Sequence, residues 1–168
     1  GFFEKIDSVM EIGSQEIHVG ASDFRFLLEQ ACVPNWQSLK FPGPDGQDGS
    51  KHLGCSAEYF YRLLGVGNYD CIDINGEHGA ISHDLNYPLK EQALTGKYDL
   101  VTDHGSCEHV FNVAQAYRTM HEVCKPGGLI VISQNIWGGN GYFLFDRSFY
   151  ESLAAANDYM IIHDSYVL

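Results

Sequence analysis

Short apolar runs alternate along this chain with stretches in which apolar side chains return every third or fourth position. That alternation predicts parallel βαβ units rather than hairpins. The runs at 8–13, 69–74, 80–82, 98–102, 129–133 and 159–162 read as six strands. Between them, Asn112 is placed to cap a helix with Gln115 as its capping-box partner, and Val113, Ala116, Tyr117, Met120 and Cys124 follow at helical spacing. Lys125-Pro126-Gly127-Gly128 stops it. Ser148, with Glu151 three residues on, opens a second helix through Leu153 and Ala156 that Asn157 ends. Residues 56–64, closed by Gly65, and residues 23–31 complete the helices. The turn-rich stretch 41–50 reads as a mobile surface loop. The fold class that follows is a doubly wound α/β domain with a mostly parallel sheet.

Composition narrows the picture. At 168 residues and 45% hydrophobic the chain fits one domain over 1–168 with an insertion at about 21–53 between the first two strands. The 22 acidic residues against 10 basic ones, a formal charge of −12, argue against binding a nucleic-acid backbone or an anionic membrane. No apolar stretch has the length of a spanning helix. The five cysteines are scattered without a zinc-type pair, which reads as reduced, mostly buried thiols in a cytoplasmic setting. The opening Gly1-Phe2-Phe3 leaves open that the chain is part of a longer one.

In an open parallel sheet a ligand lies outside the carboxyl ends of the strands, so the residues there carry the chemistry. Glu11-Ile12-Gly13-Ser14 ends the first strand, where a glycine lets backbone approach a ligand; as a single glycine it also reads as a plain turn. Asp73 ends the second strand, in position to accept the hydroxyls of a ribose or to be an ordinary loop Asp. Asp84 closes the third, and the polar cluster His104-Gly105-Ser106-Cys107-Glu108-His109 follows the fourth. Taken singly, either histidine reads as a satisfied structural one.

Together, Glu11-Ile12-Gly13, Ile72-Asp73-Ile74, His83-Asp84-Leu85, Tyr98-Asp99-Leu100-Val101 with Glu108-His109-Val110, and Lys125-Pro126-Gly127-Gly128-Leu129 occur in the order of the class I S-adenosylmethionine-dependent methyltransferases, which this chain resembles from about Val9 to Val167. The first-strand motif is a reduced form of that family's glycine-rich loop. The resemblance implies S-adenosylmethionine as cofactor, with Gly13 passing its methionine moiety, Asp73 holding the ribose and Asp84 with Leu85 facing the adenine. Glu11, Ser14, Ile74, Asp103 and His104 complete the implied cofactor-binding set. It also implies a last antiparallel strand, which is not found in this sequence.

Because a sulfonium methyl already has a good leaving group, such a site chiefly positions an acceptor in line with it, adding a base where an oxygen or nitrogen accepts. His104 and His109 are the imidazoles nearest the expected methyl position, His104 being the favoured catalytic candidate and His109 the structural one. The loop from Asn135 to Tyr142, with Trp137, is expected to border the pocket of a small-molecule acceptor. Three alternatives stay open: a nicotinamide-binding enzyme on the same sheet, a non-catalytic module of the same fold, and a metal held by His104, Glu108 and His109.

Overall fold

Every residue of β1 (Ser8–Ile12) is buried, as the Val-Met-Glu-Ile run demands of a strand covered on both faces. The computed structural model describes residues 6–38 and 56–166. Around β1 stand β2 (Asn68–Asp73), β3 (Ile81–Ser82), β4 (Tyr98–His104) and β5 (Cys124–Ser133) in the order β3-β2-β1-β4-β5, each neighbouring pair parallel. The helices are α1 (Ala21–Gln30), α2 (Ala57–Leu63), α3 (Val113–Val123) and α4 (Arg147–Ala156).

Strand alternation decides which helix lies on which face. Met10, Ile12, Ile72 and Val101 pack with Ala116, Met120 and Val123 of α3, forming the main core. Residues of opposite parity, Val9, Tyr69 and Leu100, pack with Ala57 and Tyr61 of α2. Phe24 and Leu28 of α1 are buried beside Phe60, with the Phe24 and Phe60 rings edge to face at 6.1 Å. Helices on both faces make the sheet doubly wound, as expected. Strand order reverses between β1 and β4, and that switch point is where such a sheet opens a crevice.

Charge pairs fasten the amino edge of the sheet. Lys125 Nζ lies 2.6 Å from Asp99 Oδ1, whose second oxygen accepts from Ser8 Oγ at 2.7 Å and from the Ser8 and Asp7 amides. Burial would raise the Asp99 pKa, but these donors outweigh it and hold the carboxyl at about 2. Lys97 pairs with Asp70 at 2.9 Å, and Arg62 donates to the carbonyls of Val66 and Gly67.

Four expectations need correction. Residues 159–162 do not form a sixth strand: no backbone hydrogen bond joins them to β5, they are exposed, and β-branched character makes no strand without a partner. Cys124 starts β5 rather than ending α3, because the strand runs through Lys125-Pro126-Gly127-Gly128 with an irregular register between Tyr98 and Leu100. Asn112 does precede α3, yet its side chain makes no cap; its Nδ2 donates to the Asn86 carbonyl and Gln115 bonds Thr119. Asp146, not Ser148, caps α4 by accepting the Ser148 amide, while Glu151 pairs with Arg147. The 41–50 loop lies outside the described residues. Among the described residues no helix is long and apolar enough to cross a membrane.

Candidate functional site

The carboxyl ends of β1 and β2 meet through one carboxylate. Asp73 Oδ2 accepts the Ser14 amide at 2.9 Å and the Ser14 hydroxyl at 3.3 Å, and Oδ1 accepts the Asn75 amide at 3.0 Å. Asp73 is half-buried, so its oxygens keep acceptor capacity toward solvent. Ile74, beside it, is exposed.

Gly13 is bound from two sides. Its φ is +87°, its amide donates to the Ile72 carbonyl at 2.8 Å, and a Cβ there would overlap Ser106 Oγ. The glycine therefore makes room for a protein hydroxyl as well as a turn. Ser106 Oγ donates to the Ile12 carbonyl at 2.8 Å and accepts from Gln15 Nε2 at 3.0 Å, latching the loop after β4 to the loop after β1.

Behind that loop Glu11 is 1% exposed and points, by strand parity, to the α2 face. Tyr69 Oη donates to Glu11 Oε2 at 2.6 Å, and the Gln15 amide approaches the same oxygen at 3.4 Å. Burial dominates over these two donors and pushes the Glu11 carboxyl up to about 7. Tyr61 stacks on Tyr69 with ring centroids 5.5 Å apart and donates to Thr102 Oγ1 at 3.3 Å.

At the end of β4, Asp103 is fully buried and Oδ1 accepts the amides of Ser106 and Cys107, so this carboxylate shapes its own turn. His104 follows, exposed as a residue though its ring is partly desolvated, which lowers its pKa against the opposing pull of Asp103. His109 is exposed, with Nε2 3.5 Å from Glu108 Oε1. Glu108 is 2% exposed, and Asn135 Nδ2 donates to both of its oxygens, at 3.1 and 3.3 Å. The Glu108 carbonyl accepts the Tyr142 amide at 2.7 Å, which wraps the loop after β5 around this residue. Gln134 donates to Asp103 Oδ2, while Gln134 Oε1 is a buried acceptor with no partner.

Asp84 and Leu85 part company. Asp84 Oδ1 accepts from the backbone and side chain of Asn86, a turn that ties through Asn86 to Asn112, whereas Leu85 is buried in the main core. The structure thus brings Gly13, Ser14 and Asp73 together with the loop following Asp103 and His104, and leaves Leu85 as packing. His104, Glu108 and His109 do not converge: among the described residues no three His, Cys, Asp or Glu side chains come together to hold a metal ion. Gln15 and Gln134 carry no assigned role in the sequence, whereas Ser106 stands in the polar cluster after the fourth strand and Asn135 opens the loop expected to border the acceptor pocket.

Residues 52–132 match the model of a family described as "Methyltransferase domain", a span reaching from just before α2 into β5. Comparison with curated proteins and with solved structures gives no match in either. The matched segment covers just under half of the chain, and the all-parallel β3-β2-β1-β4-β5 sheet has the Rossmann-like arrangement that class I methyltransferases share.

Proposed function

We propose that the chain transfers the methyl group of S-adenosylmethionine to a small-molecule acceptor at the carboxyl edge of the sheet. The observation that carries this reading is the Ser14–Asp73 contact between the ends of β1 and β2, next to the switch point: a carboxylate fixed by two amides, with its remaining capacity directed to solvent, suits the two hydroxyls of a ribose. The orphan Gln134 Oε1 adds an acceptor for a ligand N–H or O–H at the end of β5. When bound, the cofactor supplies an electrophilic methyl group on a sulfonium.

The chain's own residues orient and dry that site. Asp73 and Ser14 hold the ribose side, and the Gly13 turn, clamped by Ser106, sets the height of the backbone beneath the methionine side. His104, whose partial burial lowers its pKa and so favours the neutral imidazole, takes the proton of an oxygen or nitrogen acceptor. A nicotinamide cofactor fits less well, because a pyrophosphate would need a helix N-terminus directly after the glycine turn. Here residues 14–20 separate Gly13 from α1.

Calorimetry with S-adenosylmethionine, S-adenosylhomocysteine and NAD tests the reading. Binding of the first two and not of NAD is expected, and Asp73→Ala should weaken it by about 1 to 3 kcal/mol, the range for hydrogen bonds to a charged group. Heat with NAD alone, or an unchanged dissociation constant in a folded Asp73→Ala chain, would overturn it.

A further inference from the structure

No lysine or arginine stands within the first seven residues after any of the five strands. Residues 13–20, 74–80, 83–89, 105–112 and 134–146 contain none. The same edge carries Glu16, Asp73, Glu77, Asp84, Asp103 and Glu108. The cations Lys97, Lys125 and Arg62 lie instead at the amino edge, where each is held by carboxylates or carbonyls. Such segregation gives the carboxyl edge a negative potential, with imidazoles the only bases in these five segments.

Aromatic side chains stand on that edge. Phe111 is 79% exposed, and Tyr87, Trp137 and Tyr142 are also exposed. Their loops are tied together: Asn112 bonds Asn86, while Asn135 and Tyr142 bond Glu108. Beyond Trp137 and Tyr142 the edge continues into a crevice of about 290 Å³ lined by Ile136, Leu144, Phe145, Asp146, Arg147 and Tyr166. The one cation there is already neutralised, Arg147 Nε lying 2.9 Å from both Glu151 and Asp164. A space of this size suits a small ring system rather than a macromolecule.

Resting on the methyl-transfer reading, we propose that the acceptor is a flat aromatic compound, neutral or positively charged, and that the site rejects anionic compounds. Exposed rings supply faces for stacking and for cation–π contact. Surrounding carboxylates favour a positive charge, while a carboxylate or phosphate on the acceptor meets no lysine or arginine directly after the strands, and Arg147 in the crevice is already paired with Glu151 and Asp164.

The test is a matched series of indole compounds that differ in charge: tryptamine, indole and indole-3-acetate. They are titrated calorimetrically into the full chain at about pH 8, where unperturbed imidazoles are neutral. Tryptamine should bind about tenfold or more tighter than indole-3-acetate, with indole between them, and added salt should shrink the gap. Phe111→Ala and Tyr142→Ala, both at exposed positions, should weaken all binding, and Asn140→Lys should narrow the difference between cation and anion. Equal or tighter binding of indole-3-acetate, no binding of any of the three, or indifference to both aromatic substitutions in folded chains would overturn the proposal. A parallel titration with S-adenosylhomocysteine separates the two claims: its failure to bind counts against methyl transfer, whereas the indole series reports on the rim alone.

Discussion

Replacing Glu11 by glutamine removes one buried charge while keeping the side chain's volume and its acceptor for Tyr69. In the folded chain burial raises the carboxyl from an ordinary 4.5 to about 7. At roughly 1.4 kcal/mol per pKa unit, ionising Glu11 inside the fold costs on the order of 3 kcal/mol relative to the unfolded chain. The sign follows from proton binding: between about pH 4.5 and 7 the unfolded chain has released this proton and the folded chain retains it. Stability from this group is therefore full below about pH 4.5 and falls as pH rises to 7. Urea unfolding of both chains at pH 5, 6, 7 and 8, followed by circular dichroism, should show a wild-type stability that declines relative to Glu11→Gln by about 3 kcal/mol across the window. Contributions of all other groups are common to the two chains and cancel in the difference. A difference that does not change with pH would show that Glu11 titrates normally, and the argument from its burial would be wrong.

Three further outcomes are expected. His104→Gln should lower the methyl-transfer rate on an oxygen or nitrogen acceptor by about a hundredfold while leaving cofactor affinity and melting temperature in place; a folded variant with the wild-type rate would remove the base. Gly13→Ala should destabilise the chain by about 1 to 3 kcal/mol in urea unfolding, because φ +87° strains any side chain, and Ser106→Ala should recover only the part due to the clash. Asp99→Asn should remove the stability that this carboxylate, held at about 2, supplies above its unfolded pKa and loses as pH falls toward 2, so the acid limb of thermal unfolding should flatten.

How much of this was legible in the sequence depended on whether a feature is local. The Val-Met-Glu-Ile run announced a buried strand because burial on both faces leaves a continuous apolar signature, and the Leu-Ile-Val-Ile run announced a strand by the same signature although β5 lies at the sheet edge with Val131 exposed. The start of β5 was hidden, since Lys-Pro-Gly-Gly reads locally as a helix stop and only pairing of Cys124 with Tyr98 makes it strand. Asn112 has the composition of a cap, but the Asn86 carbonyl some 26 residues away captures its side chain. Residues 159–162 have strand composition without a neighbour to pair with. Asp73 and Gly13 were readable by position after a strand, while the partner that explains Gly13, Ser106, lies 93 residues away in the polar cluster after the fourth strand, and nothing local links the two.

Gly13 and the charge pattern bear on the same question from different sides. In a dinucleotide fold the glycine turn feeds straight into a helix, and the space it clears admits a pyrophosphate. In this chain Ser106 fills that space, residues 14–20 delay the helix, and no lysine or arginine stands within the first seven residues after any of the five strands. Each feature separately would be compatible with several ligands. Jointly they disfavour phosphate at three points, the donor, the volume and the potential, and they leave the Asp73 carboxylate, proposed above to accept a ribose, unaffected. A cofactor that joins a ribose to a cationic sulfur and carries no phosphate answers all three. The single-glycine motif on the first strand is then the local expression of what the whole carboxyl edge is built to receive, rather than the remnant of a longer phosphate-binding loop.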